Sequence, residues 1–149
     1  MQIDIPICAD SYEDIDHIMT SIKDLLPYLE ENDIYLNLDM DLPAYKQKEV
    51  IDYIDSSRVN IVYNVGLQMY LGGDHKEFLD LMFDRIRSVI IYNKGTSGPD
   101  RKLENCGDRF DYIISELKRR GYKYDIRIQN TLLTREGVDI YVDFMKRLI

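Results

Sequence analysis

The chain is poor in the residues that most metal and nucleophile chemistry requires. It carries two histidines and two cysteines in 149 residues. Cys8 and Cys106 stand alone, and no Cys/His metal spacing is present. Two isolated thiols point to a reducing compartment, and the expected location is the cytoplasm. No apolar run approaches the ~20 residues of a membrane span. The opening MQIDIPICAD lacks the charged-then-apolar pattern of a signal peptide. Excess basic charge is also missing. A net charge of −8 argues against nucleic acid or an anionic membrane as partner, because both need a positive face. Finally, no glycine-rich turn follows the first apolar run. Ala9-Asp10-Ser11-Tyr12 stands there instead, so nothing marks a nucleotide or flavin phosphate site.

What is present is a regular alternation. Short apolar or β-branched runs at 2–8, 34–40, 59–63, 87–92 and 124–128 predict five strands. Between and after them lie helical spacings. Ile15, Ile18, Met19, Ile22, Leu25, Leu26 and Leu29 predict a helix over 12–31, and Tyr45, Val50, Ile51 and Ile54 a second one begun by Pro43. Asp74 with Glu77 has capping-box spacing for a helix through Asp84, and Gly66 and Gly72–Gly73 predict a loop before it. Phe110, Ile113, Ile114 and Leu117 predict a helix over 109–120, and Val138, Tyr141, Val142, Met145 and Leu148 a last one over 135–148.

Five βα units over 1–149 predict a single α/β domain with a parallel sheet. Two architectures fit: a (βα)5 part of a TIM barrel, or an open flavodoxin-like doubly wound sheet. In either, chemistry belongs at the carboxyl ends of the strands. A receiver-type acidic pocket is not encoded, since Asp10 stands alone and the third run ends in Asn64.

One ordered series of motifs runs through the chain: Tyr35-Leu36-Asn37-Leu38-Asp39, Asn64-Val65-Gly66-Leu67, Gly72-Gly73-Asp74, Arg85-Ile86, Val89-Ile90-Ile91-Tyr92-Asn93, Leu103-Glu104-Asn105-Cys106-Gly107 and Ile128-Gln129. Over roughly 34–129 it resembles the xylose-isomerase-like barrel family of sugar phosphate isomerases and epimerases. The resemblance implies that the five strands correspond to strands four to eight of a TIM barrel. It also implies a sugar or sugar phosphate as ligand. That family holds a divalent metal with Glu, Asp, His and Glu on successive strand ends. The matching positions here are Asp39, Asn64, Ile90 and Gln129. Asn64 and Gln129 are neutral donors that suit a hard cation poorly and cannot act as bases, and Ile90 cannot ligate. The expectation is a degenerate metal site with no cofactor, or at most weak Mn or Mg at Asp39.

Asp39 is therefore the one candidate acid/base, with Asp41 two residues on. The plainer alternative is that Asp41 caps the Pro43 helix and Asp39 is a satisfied polar residue. Asn64, Tyr92, Asn93 and Gln129 are candidate hydrogen-bonding groups for a polyol. Lys94, Arg101 and Lys102, in the glycine-rich loop NKGTSGPDRKLENCG, are candidates for its phosphate. His17 and His75 read as surface helix residues. Two functions follow: an isomerase or epimerase working through Asp39, or a non-catalytic carbohydrate-binding or scaffolding module. An incomplete barrel has two unpaired edges, so a homo-oligomer or a partner segment covering them is expected.

Overall fold

The structure is a computed structural model and describes residues 1–8, 12–91, 107–129 and 146. Tyr92, Asn93, Lys94, Arg101 and Lys102, most of the loop after the fourth strand, and all but one residue of the expected last helix lie outside them.

The strands are β1 (Gln2–Ile7), β2 (Tyr35–Met40), β3 (Val59–Asn64), β4 (Ile86–Ile91) and β5 (Asp125–Ile128). The helices are α1 (Tyr12–Glu31), α2 (Ala44–Ile54), α3 (Val65–Tyr70), α4 (His75–Met82) and α5 (Gly107–Arg119), with a 3₁₀ turn, Phe83–Arg85, before β4. All strand pairs are parallel and the sheet order is β1-β2-β3-β4-β5. A flavodoxin-like sheet would place the first strand between the second and third. The sequential order overturns that alternative and leaves the partial barrel.

Core packing agrees with a singly wound sheet. Leu36, Leu38 and Met40 of β2, Val59, Ile61 and Tyr63 of β3, and Val89 and Ile91 of β4 share one buried cluster with Ile22, Val50, Ile51, Phe78, Leu79, Phe110 and Ile113 of the helices. The helices α1, α2, α4 and α5 thus lie on one face. Successive residues of a strand point to opposite faces, so the concave face is lined by the alternate set. That set is polar: Gln2, Asp4, Asn37, Asp39, Asn60, Asn64, Ser88, Arg127 and Gln129, with Val62 and Ile90 among the few apolar members.

The same face shows how strongly the sheet bends. Arg127 of β5 forms an ion pair with Asp4 of β1 and donates to Ser88 Oγ at 2.6 Å, while Asn37 Nδ2 donates to Asp4 Oδ1 at 2.7 Å. Four strand spacings of about 4.8 Å would separate β1 from β5 by about 19 Å in a flat sheet, farther than an arginine and an aspartate reach together. The five strands therefore curve as a half-barrel.

Two local expectations need correction. The segment after β3 is not a loop before Gly72: Val65–Tyr70 is helical, because Asn64 acts as its N-cap, accepting from Leu67 N at 3.1 Å. Asp41 does not cap α2. The capping position is Pro43 and no side chain bonds there. Asp74 does cap α4, accepting from Lys76 N at 2.7 Å and Glu77 N at 3.2 Å. No described helix is long and apolar enough to cross a membrane.

Candidate functional site

The carboxyl ends of β2 and β3 bring Asp39 and Asn64 together. Asn64 Nδ2 donates to Asp39 Oδ1 at 3.1 Å and to Oδ2 at 3.0 Å. Its amide has no freedom to turn. Asn64 Oδ1 is held by the α3 backbone, so Nδ2 must face the carboxylate. The capping that starts α3 and the orientation of the candidate site are therefore one feature.

Asp39 is half-buried, and burial is the main reason its carboxyl is held above the ordinary carboxylate range. The Asn64 hydrogen bond works in the opposite direction, and the charge of Asp41 adds to the rise. A native carboxyl with a raised pKa binds its proton more tightly than the unfolded chain does. Its contribution to stability is thus most favourable below 3.8 and declines as pH rises through the raised native value. Asp39→Asn should remove that decline. In urea unfolding across a pH series, the variant should gain on the parent from about pH 4 upward and then level off. A difference independent of pH would contradict the assignment.

The loop that follows Asp39 is fixed by two buried amides. Gln47 Nε2 donates to Met40 O at 3.2 Å and Leu42 O at 2.7 Å, and Gln68 Nε2 donates to Leu42 O at 3.3 Å. Gln68 also receives the Gly72–Gly73 turn closely: its backbone carbonyl accepts from Gly73 N at 2.9 Å, and a Cβ on Gly73 would stand 3.0 Å from Gln68 Oε1. Neither glutamine stands out in the sequence. The one available signal is that Gln47 occupies the core stripe of α2 with Val50, Ile51 and Ile54, where a polar residue must have a backbone partner.

The remaining expected site residues divide. Gln129 follows β5, exposed, with its backbone N–H donating to Ile91 O at 3.0 Å. No hydrogen bond joins it to Asp39 or Asn64. Tyr92, Asn93, Lys94, Arg101 and Lys102 are outside the described residues. His75 is not simply a surface residue: its Nδ1 shares a 2.7 Å hydrogen bond with the hydroxyl of buried Tyr63, whose pKa burial raises well above normal. A cleft of about 740 Å³ lined by Met69, Gly73, His75, Lys76 and Tyr112 lies beside α4, away from Asp39.

The described strand-end residues are a poor donor set for a divalent metal. Among the described residues Asp39 is the one strand-end carboxylate on the concave side, and Asn64 directs the positive end of its amide at both carboxylate oxygens. Ile90, beside Asn64 in the register, supplies no donor atom. Among the described residues no three His, Cys, Asp or Glu side chains gather as a metal would require. What the arrangement can do is accept and donate hydrogen bonds at a fixed geometry, with one carboxyl able to hold a proton.

Similarity to known proteins is structural. No family profile and no curated protein matches the chain. A xylose isomerase domain protein from Planctomyces limnophilus superposes over 99% of this chain and 57% of its own, with a TM-score of 0.77 and 16% identity. The 3-keto-D-glucoside 4-epimerase YcjR from E. coli superposes over 97% of this chain and 62% of its own, with a TM-score of 0.70 and 14% identity. The chain has the fold of part of a xylose-isomerase-like TIM barrel, spanning about three fifths of the length of these solved structures.

Proposed function

We propose that this partial xylose-isomerase-like barrel binds a sugar or sugar phosphate at the carboxyl ends of its strands, on a degenerate form of the family's metal site. The observation that carries the reading is the Asn64 amide locked onto Asp39, which puts a hydrogen-bond donor where a cation would need an acceptor. The two solved structures of similar fold, one a xylose isomerase domain protein and the other a sugar epimerase, support the ligand class. Asp39, Asn64 and Gln129 would meet the polyol hydroxyls, with Tyr92 and Asn93 beside them. Lys94, Arg101 and Lys102 would meet a phosphate.

The test is calorimetry with a panel of aldoses, ketoses and their phosphates in EDTA, followed by Mn²⁺ and Mg²⁺ titrations. The expected result is saturable binding of at least one sugar, weakened at least tenfold in Asp39→Ala, and no tight metal binding. No sugar binding would sink the reading. Tight metal binding lost in Asp39→Ala would replace it with a metal-dependent isomerase or epimerase. A metal-independent isomerase or epimerase is the second reading, and the raised proton affinity of Asp39 favours it. Its check is isomer exchange in the bound sugar, which the Asp39→Asn variant must abolish. In the absence of exchange the protein is a binding or scaffolding module.

The reading extends to self-association in the cytoplasm. On the helix side of β1, Ile3 and Ile5 are 39% and 37% exposed, and Leu25 and Tyr28 of α1 are exposed as well. A second copy covering this apolar surface predicts a discrete dimer or closed oligomer by light scattering. A monomeric mass would assign the cover to a separate partner segment.

A further inference from the structure

At the opposite, amino-terminal mouth of the half-barrel lies a feature unrelated to what the strand ends bind. The ladder between β3 and β4 slips there: Ile61 faces Ile86, but Val62 faces Ser88, so Arg87 is an extra residue in β4. Such bulges break the ladder locally and re-aim a side chain. The re-aimed Arg87 guanidinium lies over two aromatic rings, 4.8 Å from the centroid of Tyr35 and 4.6 Å from that of Tyr124. Tyr35 begins β2 and Tyr124 precedes β5, so the rings flank Arg87 from either side of its strand.

Both contacts are made to ring faces, which accept no conventional hydrogen bond from the guanidinium N–H groups. An arginine has five N–H donors and a fixed fork that matches carboxylate or phosphate oxygens two at a time. Among the described residues, Arg87 makes no hydrogen bond and no ion pair. Two other arginines contrast with it. Arg58 lies over the other ring contact of Tyr35 at 4.7 Å and is paired with Asp33. Arg127, on the concave face, is paired with Asp4. Asp125, which faces Ser88 in the register, is exposed and forms no ion pair among the described residues. Among the described residues of a chain with 27 acidic side chains, a half-buried guanidinium with no acceptor is the exception. Lys123, with Nζ 5.9 Å from the Tyr124 ring, adds positive charge to the same mouth.

We propose that Arg87, held between Tyr35 and Tyr124 at the amino-terminal mouth, is a binding site for an oxyanion, a carboxylate or phosphate group gripped bidentately at the guanidinium edge. The rings keep the fork oriented before the ligand arrives, so little freedom is lost on binding.

The test follows the Arg87 Nε–Hε resonance of the full chain during separate titrations with inorganic phosphate and with citrate, under matched ionic strength. A saturable shift with either anion is expected, and the anion that produces it identifies the ligand group. Arg87→Gln should lose the binding measured by calorimetry at least tenfold. Arg87→Lys should lose nearly as much, since a point charge restores neither the fork nor the ring contacts. In Arg87→Gln the side-chain amide resonances of Asn64 should keep their parent positions, which separates this site from the strand-end site. Absence of a saturable shift with both anions up to tens of millimolar, or equal affinity in Arg87→Gln with a dispersed native spectrum, would overturn the proposal.

Discussion

Replacing Asn64 by Asp is expected to destabilise the protein by about 3 kcal/mol at neutral pH, the cost of leaving a buried charge uncompensated. Asp is as good an N-cap as Asn, so the α3 start should survive and the loss should come from the Asp39 contact alone. In the parent, Asn64 Nδ2 donates hydrogen bonds to both oxygens of a carboxylate that burial already disfavours as an anion. In the variant two carboxyls share that space, and the pair must hold a proton well above the ordinary carboxylate pKa. The native state then binds more protons than the unfolded chain through this range, so the deficit should shrink as pH falls below about 5. Mn²⁺ should rescue the variant at neutral pH and leave the parent unmoved, because two adjacent carboxylates are the oxygen-donor set that Asp39 alone does not provide. Thermal melts at two pH values with and without Mn²⁺ check each part. A variant as stable as the parent at neutral pH would mean that Asn64 does not hold Asp39.

Phe78→Ala should cost about 3–5 kcal/mol, the range for removing a large aromatic side chain from a packed core. Phe78 is 1% exposed and stacks on Tyr63 with ring centroids 4.5 Å apart and planes 17° from parallel. Tyr63 in turn carries the hydrogen bond to His75. Tyr63→Phe keeps the stack and removes only the hydroxyl, and should cost about 1 kcal/mol. Because the two residues touch, the double variant should depart from additivity. Urea unfolding of the three variants gives the comparison. A Phe78→Ala loss no larger than that of Tyr63→Phe would show that the α4–β3 contact is not where the half-barrel is held together.

The alternation of strands and helices was legible because burial on one face leaves a period in the sequence. α1 shows it over twenty residues, and its expected limits coincide with the observed ones. α3 left no such trace. Six residues with Gly66 among them are too few to show a period, and the helix starts because Asn64 caps it. Strand order is set by which faces meet, which no single segment reveals, and both the barrel and the doubly wound sheet satisfied the same pattern. Asp39 was recognisable as a carboxylate at a strand end. Its partner's orientation was not, since that follows from a backbone N–H at Leu67. Gln47 and Gln68 were hidden for the opposite reason: a polar residue in a core stripe reads as a break until the carbonyl it serves is known. Arg87 reads as the first residue of a strand, and only the slipped register with β3 shows that it is the extra one.

The most direct test of the strand-end site is the side-chain amide resonance pair of Asn64, followed while a sugar phosphate is titrated into the protein in EDTA. The account predicts a saturable shift without metal, lost in Asp39→Ala. Asn64 signals that stay fixed in EDTA and move only after Mg²⁺ is restored would contradict it, because binding would then run through a cation.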